Sequence, residues 1–335
     1  MSSASLDYPR LLVLLADGEL RSGERLAGEL AVSRTAVWKA VERLRGIGVD
    51  IEAAARRGYR LPSPIELLDV NHIQGEISAG HRSRLRTLEV LFEVDSTNSR
   101  LLAAAPPPPG RIDVCMAELQ HAGRGRRGRR WFAPFGASIA MSVACTFADA
   151  PRDLSALSLT VGVAAIRALR RAGAQDLALK WPNDLWFREH KVGGILIEIK
   201  AEASGPVHAV IGIGLNVHLP IEARREIEAG GGAAAAVADA CPGKPSRNVI
   251  AGAFLDELIG MLGEFQRHGF LALRQEWQGL DALLGKAVRV VLADSTVCGV
   301  SRGVDEDGAL LVETEAGLQR FVSGEASLRI REGAS

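Results

Sequence analysis

The spacing of apolar residues changes twice along the chain and predicts three parts. The first part has short helical patterns followed by a small hairpin, and the proline-containing stretch Leu61–Pro64 after it is typical of a linker. A longer middle part mixes strands and helices, and from Leu283 onward short apolar runs alternate with turn residues. We therefore predict domains at residues 1–64, 65–282 and 283–335.

Five apolar runs in the middle part have the length and composition of strands. They are Leu88–Val94, Ile112–Leu119, Ser138–Phe147, Lys191–Lys200 and Val207–Val217. Asp153–Ala172 places its apolar residues on one helical face, and Asn248–Gln266 is predicted as a second long helix. This mixture predicts an α/β or α+β domain built on one sheet.

The last part has four short runs separated by turn signals. They are Val288–Leu292, Gly299–Val304, Ala309–Glu313 and Leu318–Val322. Short strands at this regular spacing are typical of a small β-barrel.

The N-terminal part has the capping residues of a helix-turn-helix over about residues 23–42. Ser22 precedes one helical pattern, and Ser33 precedes a second one, Arg34–Arg45. The apolar residues of the second helix recur at helical spacing and are expected to face inward. The residues expected to contact DNA are Ser33, Arg34, Thr35, Trp38, Lys39 and Arg43.

An exposed helix with arginine, threonine and lysine in its first turns suits insertion into a major groove. The strand Val49–Ala53 and the turn at Arg56-Arg57-Gly58 predict a basic wing beside it. A helical protein-interaction module with a charged, solvated face remains the alternative interpretation of this part.

Composition restricts the class of protein without naming a function. Of the 335 residues, 47% are hydrophobic and 24% charged, as in ordinary soluble proteins, and the formal net charge is zero. Attraction to nucleic acid must therefore come from local clusters of charge. No apolar run has the length of a membrane span, and the four cysteines stand far apart, which fits a cytoplasmic protein.

The segment Gly123–Arg130 concentrates positive charge, with five arginines and three glycines in eight residues between two predicted strands. Glycines let a backbone approach an anion closely, and arginines supply forked donors for phosphate or carboxylate. We expect this segment to be disordered until an anionic ligand neutralises it. The literal GxGxxG pattern lacks the following helix of a dinucleotide site, and an RNA-binding segment remains an alternative.

A second set of polar residues surrounds two lysines. Lys180 closes a strand before Trp181-Pro182-Asn183-Asp184, and Lys191 opens the next, so a hairpin between them is predicted to bring both ammonium groups together. Gly193-Gly194 leaves room for a flat ligand. Ser96, Thr97 and Asn98 follow another strand and either cap the helix Ser99–Ala104 or present polar groups to a ligand.

These motifs together resemble those of the bifunctional biotin–protein ligases and biotin operon repressors. The resemblance rests on Val94–Asn98, Gly123–Arg129, Lys180–Asp184 and Lys191–Leu196, in that order and spacing, and extends from about Leu11 to Arg329. It implies a winged helix-turn-helix, a mixed-sheet catalytic domain like that of class II synthetases, and a C-terminal SH3-like barrel.

The resemblance also implies a reaction and partners. The implied reaction joins biotin to ATP, with Mg²⁺, as biotinyl-5′-AMP, and then transfers biotin to a lysine of the biotin carboxyl carrier protein of acetyl-CoA carboxylase. The implied regulator is a homodimer that forms when the adenylate binds and represses a biotin operon by occupying operator DNA.

The site residues are carried over from the resemblance. Lys191 and Arg126 are expected to be catalytic, and no metal ligand is predicted. Those expected to bind biotin or the adenylate are Ser96, Thr97, Asn98, Gln120, Arg124, Gly125, Arg126 and Lys191. Those expected near the nucleotide are Gly123, Arg129, Trp131, Lys180, Asn183, Asp184, Gly194, Asn216 and Arg329.

Departures from the family pattern leave alternatives open. Gly230–Ala240 contains no tryptophan to cover the adenine, so no site residue is assigned there. The wing also differs, which bears on the operator. A ligase without repressor activity, a ligand-sensing transcription factor without catalysis and a lipoate-type ligase are the competing functions.

Overall fold

The computed structural model describes residues 7–54, 57–201, 205–229, 233–292, 295–322 and 327–330. Within it, the N-terminal unit consists of three helices and a two-stranded hairpin. These elements are α1 (Tyr8–Leu15), α2 (Gly23–Glu29), α3 (Arg34–Gly46), β1 (Glu52–Ala54) and β2 (Gly58–Arg60). The predicted wing residue Arg56 lies outside the described residues.

Two serine side chains cap the N-termini of the two helices of the helix-turn-helix, as predicted. The hydroxyl of Ser22 accepts from the backbone N–H of Arg25 at 3.2 Å, and that of Ser33 accepts from Ala36 at 3.1 Å. A hydroxyl at this position satisfies a donor that the first turn of a helix leaves unpaired. The inward-facing residues of α3 are fully buried, so the predicted helix-turn-helix is confirmed.

A mixed sheet of seven strands forms the middle of the described chain. The strands are β3 (Leu85–Val94), β4 (Ile112–Gln120), β5 (Ser138–Phe147), β6 (Leu177–Lys180), β7 (Asp184–Phe187), β8 (His190–Ala201) and β9 (Val207–Asn216). Their order is β3-β4-β5-β9-β8-β7-β6. The β3–β4 pair is parallel and the other neighbours are antiparallel, which confirms the mixed sheet.

Helices cover both faces of this sheet. They are α4 (Val70–Gly75), α5 (Ala79–Arg82), α6 (Thr97–Ala103), α7 (Leu157–Arg171), α8 (Ile221–Ala229), α9 (Arg247–His268) and α10 (Arg274–Leu280). The long helices α7 and α9 pack on each other and on the sheet, and their apolar residues join one large core. The short helix α6 lies across β4, β5 and β9, and beside it the sheet carries a cavity.

The predicted hairpin from Lys180 to Lys191 is wrong in one respect. A strand, β7, lies between the two lysines, so Lys180 pairs with Asp184 on one side and Lys191 pairs with Trp186 on the other. The four residues of β7 are too few to show a period, which is why the pattern did not reveal it. Both lysines still line the same cavity.

The C-terminal part is a five-stranded antiparallel sheet. Its strands are β10 (Ala287–Val291), β11 (Thr296–Val304), β12 (Leu310–Thr314), β13 (Gly317–Phe321) and β14 (Ser327–Ile330), in the order β13-β12-β11-β10-β14. The four predicted strands are present, and β14 adds one that the pattern did not predict. This sheet joins the central core, where the indole N–H of Trp181 donates to the carbonyl of Gly308 at 3.2 Å.

The linker after β2 is tied to the central part by buried charge. Glu66 accepts from the Ser246 hydroxyl and from the backbone N–H of Arg247. The fully buried Arg247 guanidinium in turn pairs with Glu118 at 2.8 Å. The domain boundaries after residues 64 and 282 remain predictions.

No helix in the described ranges is both long and apolar enough to cross a bilayer.

Candidate functional site

A cavity of about 680 Å³ opens on the face of the sheet that carries α6. This size is typical of small-molecule sites. Residues predicted for the site that line it are Ser96, Thr97, Asn98, Gln120, Arg124, Gly125, Arg126, Arg129, Trp131, Lys180, Asn183, Asp184, Lys191, Gly194 and Asn216. Gly123 does not line it, and the side chain of Arg329 lies outside the described residues.

The N-terminal end of α6 supplies one polar wall of the cavity. It consists of Ser96, Thr97 and Asn98, and we call it the polar floor. Ser96 is the N-cap, and its hydroxyl accepts from the backbone N–H of Ser99 at 3.4 Å. Thr97 donates its backbone N–H to the side-chain oxygen of Gln120 at 2.9 Å. Ser96, Thr97 and Asn98 are buried, so their polar groups are held inside the wall of the cavity rather than in water.

The arginine-rich segment folds back on itself through backbone hydrogen bonds, and its disorder before an anionic ligand binds stays a prediction. The N–H of Gly125 donates to the carbonyl of Arg129 at 2.7 Å, and that of Trp131 donates to Gly123 at 2.9 Å. Gly123 permits this closure, because a Cβ there would lie 2.4 Å from the carbonyl oxygen of Trp131. The mutual repulsion of the arginines is offset by an acidic neighbour, Glu198, which the sequence prediction did not include.

Two arginines of the segment reach opposite sides of the cavity. Arg124 donates to Glu198 on β8 at 2.5 Å and to the Ser99 hydroxyl at 3.2 Å. Arg126 instead donates to the side-chain oxygen of Asn183 at 3.2 Å, on the side of the lysines. The pKa of Arg126 is lowered by burial and by the neighbouring charge of Arg127. A partly buried cation among cations favours an anionic ligand.

The lysine side of the cavity contains one close ion pair. The ammonium of Lys191 lies 2.5 Å from a carboxylate oxygen of Asp184 and 5.7 Å from the centre of the Trp131 ring. Lys180 is buried, with its ammonium 4.3 Å from the centre of the Trp186 ring. The arginine segment, Lys180 of β6 and Lys191 of β8 therefore line one cavity.

Glycines flatten the sheet beneath the ligand space. A Cβ on Gly214 would lie 2.4 Å from Cε2 of Trp131, and one on Gly212 would lie 2.3 Å from the side-chain oxygen of Asn98. Two buried polar atoms in this wall, Nε1 of Trp131 and Oδ1 of Asn216, have no hydrogen-bond partner within the described part of the chain. Buried polar groups are normally paired, so these atoms are candidates to bind a ligand.

The sequence prediction missed several cavity residues. Behind the lining, Ser142 bonds to both Thr97 and Asn98 from inside an apolar strand, and Glu198 of β8 contacts Asn98 and Arg124. Missed lining residues are Arg130, Phe132, Met141, Trp186, Glu189, Ile195, Leu196, Glu226, Ile227, Ala233 and Ala234. A lone polar residue within an apolar run was the available signal for Ser142.

The outer face of α3 carries most of the residues predicted to contact DNA. Ser33, Arg34, Thr35, Trp38 and Lys39 are exposed, and Trp38 is 53% exposed although it is a large apolar side chain.

Arg43 does not join that face. Its guanidinium forms an ion pair with Glu93 of β3, donates to the Tyr8 hydroxyl at 3.2 Å and lies over the Tyr8 ring. These contacts direct Arg43 to the central part of the molecule.

Comparisons with known proteins cover all three parts. A model of the biotin/lipoate A/B protein ligase family matches residues 93–216, a helix-turn-helix domain model matches residues 10–60, and a model of the biotin protein ligase C-terminal domain matches residues 283–329.

Individual relatives match over nearly the whole length. The bifunctional ligase/repressor BirA of Escherichia coli is 36% identical over 326 residues, which cover 96% of this chain and 97% of that one. BirA of Bacillus subtilis is 30% identical, with 93% and 95% covered. The biotin protein ligase of Aquifex aeolicus, solved with biotin and ATP, aligns with a TM-score of 0.61 at 28% identity, over 73% of this chain and all of that chain.

Proposed function

The chain belongs to the biotin protein ligase family of bifunctional ligase/repressors, and from this premise we propose that it activates biotin with ATP and attaches it to a carrier protein. The observation that carries the proposal is the shared cavity. Arg126 and Lys191, from separate elements, both line it, and a polar floor closes its other end.

The first half-reaction joins two anions. A carboxylate oxygen of biotin attacks the α-phosphorus of ATP, the new P–O bond forms, and the bond to pyrophosphate breaks. Because like charges approach, catalysis here consists mainly of positioning and neutralisation. Lys191 bridges the carboxylate and the α-phosphate, and Arg126 balances charge on the phosphates. The nucleophile is already ionised, so no general base is required.

The second half-reaction releases the acyl group. The amine of a carrier lysine attacks the carbonyl carbon of the mixed anhydride, an amide bond forms, AMP leaves and the amine loses a proton. The proposed acceptor is the biotin carboxyl carrier protein of acetyl-CoA carboxylase. The arginine segment lines the cavity beside Trp131, and its closure over the bound adenylate would keep water from the anhydride.

Magnesium fits the site only as an ion that binds together with the nucleotide phosphates. Within the described residues, no group of three or more His, Cys, Asp or Glu side chains is placed to hold a metal ion. Mg²⁺ usually binds one or two protein oxygens plus substrate phosphates, and Asp184 and the unpaired Oδ1 of Asn216 supply that kind of donor set. When bound, the ion neutralises phosphate charge.

Mass spectrometry of the acyl-adenylate tests the enzymatic proposal directly. Protein is incubated with ATP and either biotin or lipoate, and the nucleotide products are identified by mass. Biotinyl-5′-AMP is the expected product. Formation of lipoyl-AMP in preference would assign the chain to lipoate chemistry, and the absence of both adenylates would leave a ligand sensor without catalysis.

We further propose that the protein acts in the cytoplasm as a biotin-operon repressor. The supporting observation is the exposed face of α3, where Arg34, Thr35 and Lys39 accompany the exposed Trp38. When the adenylate fills the cavity, two copies pair and bind two operator half-sites.

A gel shift with DNA from upstream of a biotin-synthesis gene, with and without biotin plus ATP, tests repression. The expected result is a shift that requires both small molecules. A shift that never appears, while the adenylate does form, would leave a ligase without repressor activity.

A further inference from the structure

Glu198 of β8 is a charged residue behind the cavity lining, and neither the motifs nor the proposed reaction uses it. Its side chain is 23% exposed, and its two oxygens bind different elements. Oε1 accepts from Arg124 of the arginine segment at 2.5 Å, and Oε2 accepts from the amide nitrogen of Asn98 on α6 at 2.9 Å. One carboxylate thus joins the arginine segment to the polar floor.

A carboxylate can accept hydrogen bonds but cannot donate them, and this restricts the Asn98 amide. The NH₂ group must face Glu198, where it also lies 3.4 Å from the carbonyl of Leu196. The amide oxygen must then face Ser142, whose hydroxyl lies 2.5 Å away. Asn98 and Ser142 are buried, so water does not compete for these bonds.

The direction of hydrogen bonding continues from Ser142 to Thr97. Ser142 has a single hydroxyl proton, and the Asn98 oxygen can only accept it. The Thr97 hydroxyl, 2.7 Å from Ser142, is a second acceptor within reach of that proton, and it donates its own proton to the side-chain oxygen of Gln120 at 3.2 Å. With its proton directed to Gln120, Thr97, which lines the cavity, presents oxygen lone pairs to a ligand N–H group.

The opposite arrangement would remove acceptors from the floor. If Asn98 turned its amide by half a turn, its NH₂ would donate to Ser142, and Ser142 would donate to Thr97. One of the two lone pairs of the Thr97 oxygen would then be used, and the Asn98 oxygen would face the Glu198 carboxylate with no proton between them. A cyclic urea, which has two N–H donors flanking one carbonyl, would find fewer acceptors on the floor.

We propose that Glu198 is a positioning residue that holds the polar floor in the orientation that recognises a cyclic urea. This inference rests on the proposed function, because biotin is the urea-containing acid of that reaction. Glu198 acts on the end of the cavity that receives the urea, through Asn98 and Arg124, while Arg126 and Lys191 act on the end that receives the carboxylate and the nucleotide.

Glu198→Gln provides the test, because glutamine has nearly the same shape but can donate to Asn98 and so permits both amide orientations. In a pyrophosphate-release assay, KM for biotin is expected to rise about 10- to 100-fold, the effect of mismatched buried hydrogen bonds. KM for ATP is expected to change less than about two-fold, because the lysine side of the cavity keeps its contacts.

Glu198→Asp separates positioning from packing. Aspartate is shorter but still only accepts, so it keeps Asn98 in one orientation and is expected to raise KM for biotin less than glutamine does. If Glu198 merely filled space, glutamine would be the milder change. The control is Glu89→Gln, which breaks an exposed ion pair with Arg100. Arg100 lies on α6, as Asn98 does, and this variant is expected to leave both KM values unchanged.

The outcomes distinguish this inference from the proposed function. A wild-type protein that forms no biotinyl-adenylate contradicts the proposed function itself. If wild type is active, an unchanged KM for biotin in a folded Glu198→Gln protein, equal increases in both KM values, or a greater effect of aspartate than of glutamine would each overturn the role of Glu198.

Discussion

Lys191 and Asp184 form a close ion pair in the cavity, and its chemistry explains how an ammonium is kept ready for substrate. Asp184 holds the ammonium at 2.5 Å beside Trp131. An incoming carboxylate and phosphate offer more negative charge than one aspartate, so the ammonium can turn to them with little rearrangement. Preorganised charge of this kind is usually a large contribution to catalysis.

Removal of either cation is expected to slow the first half-reaction strongly. Lys191→Met and Arg126→Ala should each lower adenylate formation by on the order of 10²–10³-fold, as when one preorganised donor is lost. Pyrophosphate release under saturating biotin and ATP measures the effect. Lys200→Met, an exposed lysine of the same strand that donates to the carbonyl of Leu102, is the matched control and should retain activity. Near wild-type turnover in Lys191→Met would contradict its assignment.

Asp281 predicts a pH dependence of stability that is separate from the site. It follows α10, where Oδ1 accepts from the backbone N–H of Leu283 and Oδ2 is buried with no partner in the described ranges. Burial raises the pKa of Asp281 to about 6. A carboxyl whose folded pKa exceeds its unfolded pKa of about 3.9 binds its proton more tightly when folded. This carboxyl therefore lowers stability as pH rises from about 4 to 6, and the loss persists above that range.

Asp281→Asn keeps the acceptor for Leu283 and removes the buried charge. The variant should unfold about 2–4 °C higher than wild type at pH 7.5, which corresponds to about 1 kcal/mol for a protein of this class. The difference should shrink toward pH 4.5, where Asp281 of the folded wild type is protonated. Thermal unfolding at the two pH values measures it, and a lower midpoint for the variant at pH 7.5 would contradict the account.

Sequence reasoning identified the cationic residues of the site and two of their partners, Asn183 and Asp184, but not Glu198. Arg126 and Lys191 stand in dense, unusual motifs, so their chemistry is visible in the sequence. Glu198 stands among alternating residues of a long strand, and its importance follows only from the distance to Asn98 and Arg124. Such contacts join residues 100 and 74 positions apart and depend on the strand order.

At the scale of elements, β9 provides the surface on which the ligand space is built. Gly212 and Gly214 alternate along it, and Trp131 lies against Gly214. A methyl group at position 214 would meet the indole at 2.4 Å and force it away from the sheet. Trp131 also adjoins Lys191, so the displacement would extend to the lysine side of the cavity.

Gly214→Ala should therefore reduce adenylate formation by about ten-fold or more and lower the free energy of unfolding by about 1–3 kcal/mol, as overpacking does. Pyrophosphate release and denaturant unfolding measure the two effects. Gly243→Ala is the control, because no atom lies within 4 Å of the added methyl group. Equal activity of the two variants would show that Trp131 does not depend on this contact.

Elements with a clear period or clear caps were predictable, and short ones were not. Ser138–Phe147 has the bounds that the apolar run predicted, and the caps Ser22 and Ser33 located two helices. The strand β7 has four residues inside a motif and shows no period of its own. The arginine segment was expected to be disordered because its acidic partner is distant in sequence.

At the scale of the whole molecule, the N-terminal unit is connected to residues that flank the arginine segment on both sides. On one side Glu93 bonds to Arg43 of α3 and to His121, which lies just before the segment. On the other side Phe135 packs into the N-terminal core through Phe92 and Tyr8. The DNA-reading unit and the ligand site are thus joined by the same short stretch of chain.

Glu93→Gln should loosen this connection without unfolding either part. An exposed ion pair contributes about 0–1 kcal/mol, so amide hydrogen exchange should become up to about five-fold faster in residues 121–131 and in α3. Glu89→Gln, on the same strand but paired with Arg100, is the control and should leave these residues unchanged. Faster exchange confined to α3, with none in the arginine segment, would contradict the connection.

The central claim is that the arginine segment and Lys191 converge on one anionic ligand, and a double-mutant cycle tests it most directly. Rates of adenylate formation are measured for Arg126→Ala, Lys191→Met and the double variant. Two groups that act on the same reacting atoms are strongly coupled, so the double variant is predicted to be within about ten-fold of the slower single variant. A loss equal to the product of the two single losses would mean that the two residues act independently and would contradict the account.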